Sequence, residues 1–148
     1  MLDAVLGFAG VQDSSSEVSK LKKILGWLNA NVHYESDLNN IFRAPVETLS
    51  LKSGDCDDYS ILTGALFERA GVESAVGFFK ASGEAEGHAM VLVRLDDLGG
   101  YPNRYYSDLT HRGLSSGKWI KIEPQRTIDR QSGDYIKKWN LVSASEIK

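Results

Sequence analysis

A single cysteine, Cys56, stands in the whole chain, so no internal disulfide can form. That leaves the compartment open, because many exported domains also lack disulfides. No window approaches the ~18 apolar residues that a spanning helix needs, and the mildly apolar stretch Met1 to Gly10 lacks the basic start of a signal peptide. Basic residues are not in excess either: 17 Lys and Arg stand against 20 Asp and Glu, a net charge of −3. Nucleic acid, which calls for a basic footprint, is thereby an unfavoured partner. With three prolines and no repeat or low-complexity tract, nothing reads as a linker. Residues 1–148 are therefore expected to form one soluble domain, cytoplasmic or cut from a larger exported protein, with residues 1–13 as a flexible lead-in.

What is present is ordinary for a globular chain: 148 residues, 42% apolar and 25% charged. That length suffices to bury roughly 70% of the unfolded surface in one core, without a disulfide or metal. Ser14 and Glu17 have capping-box spacing and predict a helix start. Val18, Leu21, Ile24, Leu25 and Leu28 then fall on one helical face, and Lys20, Lys22 and Lys23 on the other. Val32 to Asp37 reads as an extended link, and Pro45 as the first residue of a helical turn before the loop Ser50 to Gly54. Strands are predicted over Val72–Phe79, His88–Leu95, Arg104–Leu109 and Lys118–Glu123, the last ended by Pro124. His88 to Leu95 is apolar on both faces, as a covered strand must be. A short helix over Asp134 to Trp139 completes the pattern. Helices followed by antiparallel strands predict an α+β class, with helices packed on one face of the sheet.

The chemistry gathers at Ser53-Gly54-Asp55-Cys56-Asp57-Asp58-Tyr59. Asp55 suits an N-cap, Asp58 lies at capping-box distance, and Gly71 suits the helix end, so Cys56 falls at the first helical position. There the unpaired N–H groups and the positive end of the macrodipole favour a thiolate. Asp55, Asp57 and Asp58 would repel that anion, so the sulfur must lean on an imidazolium. The alternative reading is a buried, inert cysteine. Among the three histidines, His33 has apolar and aromatic neighbours that suit a structural role, and His111 lies in a polar loop. His88, at the start of a covered strand, is the candidate base, and Glu123 or Asp108 the acid that orients it. Such a set leads to acyl transfer through a thioester.

Gly54-Asp55-Cys56-Asp57-Asp58-Tyr59, Gly87-His88-Ala89-Met90-Val91 and Trp119-Ile120-Lys121-Ile122-Glu123-Pro124 resemble, in order and spacing, three motifs of the transglutaminase-like superfamily. Asn31 to Tyr34 and Ala44 to Leu49 are similar to its lead-in, so the likeness covers roughly residues 18 to 125. The resemblance implies a papain-like fold with a Cys-His-acid triad. Cys56 would be the nucleophile and His88 the base, as in bacterial transglutaminase-like cysteine proteinases, some of which bind calcium near the catalytic site. Two positions depart from the pattern: Glu123 stands where the family usually has Asp, and Met90 where it often has Trp. Glu123 is preferred to Asp108 as the acid.

The implied activity is that of a cysteine peptidase or amidase acting on a protein or peptide substrate, with transfer to an amine as a close variant. A different class of reading is a catalytically silent binding module, which predicts a blocked cleft above Cys56. No cofactor is required. Calcium at Asp55, Asp57 and Asp58 is a third reading, although a hard cation needs about six oxygens and three adjacent acids are more simply caps.

Overall fold

The structure, a computed structural model, describes residues 1–35, 43–95, 106–107, 114–115, 119–131 and 133–147. Its helices are α1 (Leu2–Ala9), α2 (Glu17–Asn31), α3 (Pro45–Leu51), α4 (Cys56–Arg69) and α5 (Gly133–Lys138). Its strands are β1 (His33–Tyr34), β2 (Ser53–Gly54), β3 (Glu73–Lys80), β4 (His88–Arg94), β5 (Tyr106–Ser107), β6 (Trp119–Ile122) and β7 (Asn140–Glu146). The main sheet has the order β5-β6-β4-β3-β7 and is antiparallel throughout, while β1 and β2 form a small parallel pair. The class is α+β, with α4 packed on β3 and β4 and α2 packed on α4. Among the described residues no helix is long and apolar enough to cross a membrane.

Helix α2 buries the expected face: Leu21, Ile24, Leu25 and Leu28 are fully enclosed, each such leucine contributing about 1.5–3 kcal/mol by leaving water. They join Leu62, Leu66 and Phe67 of α4 and, from the sheet, Val91, Val93, Ile120 and Ile122. On the opposite face of the sheet Ala75, Phe79, Met90, Leu92, Trp119 and Trp139 form a second cluster. Strand β4 is thus covered on both sides, which is why neither of its faces is polar.

Several details differ from the sequence expectation. Ser16, not Ser14, caps α2, accepting from the Ser19 N–H at 3.2 Å. Lys20 does not point to solvent: it is 8% exposed, and its Nζ donates to the Ala70 carbonyl at 2.8 Å. A long amphipathic side chain can lie along the core while its ammonium satisfies a helix-end carbonyl. Residues 1–13, expected as a lead-in, contain α1, whose Val5 is buried in the main core. Ser53 and Gly54, expected in a loop, form β2. The tail after α5 is strand β7, which pairs with β3; between Phe78 and Phe79 the register shifts, Phe78 facing Ser143 and Phe79 facing Leu141. Val142 is the extra residue of that bulge. The predicted strand Arg104–Leu109 coincides with β5 only at Tyr106 and Ser107, its other residues lying outside the described ones.

Candidate active site

The cysteine side of the site is built from neighbours in sequence. Parallel pairing of β1 with β2 sets Tyr34 beside Gly54, with the Glu35 N–H donating to the Gly54 carbonyl at 2.8 Å. Asp55 then caps α4, its Oδ1 accepting from the Asp58 N–H at 3.0 Å, while Asp58 Oδ2 accepts from the Asp55 N–H at 3.4 Å. This reciprocal box is the one its spacing predicted. Asp58 is wholly buried, and its Oδ1 accepts from the Arg43 N–H at 2.9 Å, with the Arg43 guanidinium 3.8 Å from Oδ2. Gly54 is required by close approach, since a Cβ there would come within 2.7 Å of Asp58 Cβ and 3.2 Å of Thr48 Cγ2. At the far end, Gly71 takes φ +87 and its N–H donates to the Glu68 carbonyl. Cys56, the first residue of α4, is partly exposed, and its Sγ lies 4.0 Å from Asp57 Oδ1.

The histidine side is assembled from distant segments. His88 opens β4 opposite Phe79, and Glu123 follows β6 directly. With Val91 facing Ile122 in the β4–β6 register, Glu123 comes level with Met90. From there it reaches one pleat along, and its Oε2 lies 2.5 Å from His88 Nε2. The longer Glu in place of Asp therefore still meets the ring. Glu123 is 2% exposed. Gln131 fixes its backbone, accepting from the Glu123 N–H at 3.0 Å and donating to the Glu123 carbonyl at 2.8 Å, and the Gln125 N–H donates to Oε1 at 3.3 Å. Trp139 lies against the imidazole at a ring separation of 5.0 Å, and the Tyr135 hydroxyl is 3.4 Å from Nε2.

Burial by itself would lower the His88 pKa, but hydrogen bonds to Cys56 and Glu123 and their negative charges overcome it and raise the ring to about 9. Cys56 and His88 are brought together: both wall a cleft of about 490 Å³, with Tyr34, Asp57, Phe78 and Glu86. Cys56 is partly exposed and is one of the residues lining that cleft. Two of its acidic groups titrate high. Asp57 is raised by burial and then by the charges of Asp55 and Asp58, and Tyr34 by burial and then by the charges of Cys56 and Asp55.

His33 is exposed on β1, so its apolar neighbours in sequence do not enclose it. Asp108 and His111 lie outside the described residues. Sequence reasoning missed Gln131, Tyr135 and Trp139; the aromatic pair at i, i+4 across a short helix was the signal available. Among the described residues no group of three His, Cys, Asp or Glu is arranged to hold a metal. Asp55 and Asp58 spend carboxylate oxygens on backbone N–H groups, and Arg43 supplies positive charge beside Asp58. As arranged, the three aspartates do not fit a calcium cage, which would need about six free oxygens.

The structure thus sets a cysteine at the first position of a helix in one cleft with a histidine that bonds a buried glutamate beside an antiparallel sheet. Residues 9–99, well over half the chain, match the family model described as a transglutaminase-like domain, and the chain belongs to that family. No curated protein matches it. Among solved structures, EGTA-treated LapG of Legionella pneumophila is similar over 97% of this chain and 81% of its own, with 12% identity and a TM-score of 0.59. A candidate cysteine protease from Cytophaga hutchinsonii is similar over 99% of this chain, with 16% identity and a TM-score of 0.58. The chain spans about half of that protein, 47% of its length. LapG in its calcium-bound form has 16% identity, covers 68% of this chain and 69% of its own, and has a TM-score of 0.46. At such identities the likeness shows the fold.

Proposed function

We propose that this protein is a cysteine peptidase or amidase, formed by residues 1–148 as a single transglutaminase-like domain, with Cys56 as nucleophile, His88 as acid–base and Glu123 as the orienting acid. The observation that carries this reading is the shared cleft of Cys56 and His88, with Nε2 of the ring held by Glu123 at 2.5 Å. Because Nε2 is occupied, Nδ1 is the nitrogen that serves the sulfur.

The Cys56 sulfur attacks the carbonyl carbon of a peptide or side-chain amide, and its proton resides on His88. The Cys56 N–H, at the positive end of α4, stabilises the oxyanion. As the C–N bond breaks, His88 gives its proton to the departing amine and a thioester remains. Water then attacks that thioester, passing a proton to His88, and as the C–S bond breaks the acid is released and the sulfur leaves as a thiolate beside the protonated ring. Glu123 holds the ring throughout. Calcium, bound by LapG in one of its structures, supplies no step here.

Iodoacetamide at pH ~6 tests the pair. Cys56 is expected to alkylate at least about tenfold faster than a free thiol, and His88→Ala to remove that advantage. Alkylation at the free-thiol rate, unchanged by His88→Ala, would overturn the reading.

A further inference from the structure

Beside the cleft runs a second hollow of about 360 Å³, walled by Pro45, Ile61, Ala65, Val76, Phe78 and Ile147. The surface it offers is largely apolar, although Ser145 and Glu146 also line it, and nothing among the described residues fills it. Three elements lead from the cleft into it. On α4, Asp57 lines the cleft, and Ile61 and Ala65, four and eight residues further on, line the groove along the same helical stripe. On β3, Phe78 belongs to both hollows, and Val76, next on the same face, belongs to the groove. On β7, Val142 lines the cleft, and Ser145 lines the groove. Phe78 remains 37% exposed at the junction, an apolar ledge between the sulfur and the groove.

We propose that this groove receives a bulky apolar side chain of the acyl-donor peptide; the inference rests on the acyl-transfer reading above. Distance fixes which side chain. At 1.5 Å per residue, Ile61 lies about 7 Å along the helix from Cys56 and Ala65 about 13 Å. An extended peptide advances about 3.3 Å per residue. The groove therefore takes the side chain two to four residues from the carbonyl that Cys56 attacks. Continuity with the cleft favours this occupant over a second copy of the chain, which has no reason to approach the sulfur.

The test uses peptides ending in a thiol-reactive vinyl sulfone, one all glycine and three with a single leucine at the second, third or fourth residue from the warhead. The rate of Cys56 labelling is followed by intact mass. One leucine peptide is expected to label at least about tenfold faster than the glycine peptide, as burial of that side chain requires. Ala65→Trp, which fills the groove, should cut this advantage below about twofold while leaving the glycine peptide and iodoacetamide rates within about twofold. Ile147→Glu, which puts a charge into the groove, serves where the tryptophan prevents folding. Equal labelling by all four peptides, with fast iodoacetamide alkylation retained, would overturn the groove and leave the acyl-transfer reading standing. So would a leucine advantage that both variants preserve, or a dimer that Ala65→Trp dissociates. Loss of fast alkylation altogether would overturn both.

Discussion

The two walls of the cleft are made in different ways. On the cysteine side, residues 53–58 fold onto themselves: the cap, its box partner and Cys56 are neighbours in sequence, with Asp55 and Asp58 bonded across three residues. On the histidine side, the ring on β4, which Tyr135 and Trp139 adjoin, meets the carboxylate of a residue 35 positions later, whose backbone Gln131 fixes. A locally coded wall depends on backbone geometry. A wall gathered from afar depends on charge pairing inside a packed interior, and its failures should appear as chemistry before they appear as unfolding.

Glu123→Gln is the largest expected break. It removes the charge facing His88 while Gln131 still bonds the same backbone groups, so kcat/KM on a peptide amide should fall by about 10²–10⁴-fold with Tm little changed. A comparable loss of Tm without loss of activity would remove Glu123 from the chemistry.

The pH response should come next, and its sign follows from the ring. The folded His88 pKa of about 9 lies above the ordinary 6.5, so its contribution to stability is fully present below about pH 6.5 and is lost as pH rises through about 9. The Tm difference between the wild type and His88→Asn should hold steady on the acid side of that window and shrink across it. The same deprotonation removes the acid for the leaving amine, so activity should decline on the alkaline side. A Tm difference that grows with pH would reverse the assignment.

Gly54→Ala tests the local wall. The added methyl must displace Asp58 Cβ, which the helix backbone holds, and should cost about 1–3 kcal/mol in denaturant unfolding. Tolerance of alanine without loss would mean that the cap is softer than its bonds imply. The smallest expected effect is that of calcium: with Asp58 engaged by Arg43 and the capping box, millimolar calcium should leave Tm unchanged, and a clear rise would show that the aspartates leave their caps to bind it.

The same contrast explains what could be read from the chain. The cysteine helix was legible from Asp55 and Asp58 alone, because capping acts across three residues, and Cys56 at its mouth followed. The period of α2 and the double-sided apolarity of β4 were legible because each reports a buried face. Lys20 misled because hydropathy counts its charge and not its four-carbon stem, which lies along the core to reach Ala70. Strand β7 was missed because its exposed edge carries no alternation: Val142, Ser143 and Ser145 read as tail, and only pairing with β3 makes them a strand.

By itself the sequence determined the seat of Cys56, the helices and strands that carry the core, and the family, since local hydrogen bonds and hydrophobic periods are written in adjacent residues. Only the tertiary structure decided which acid meets the ring, which side chains surround that pair, and how the cleft runs on into an apolar groove. Those features depend on strand register and on charges brought together from remote segments, and a burial-driven fold sets both at once.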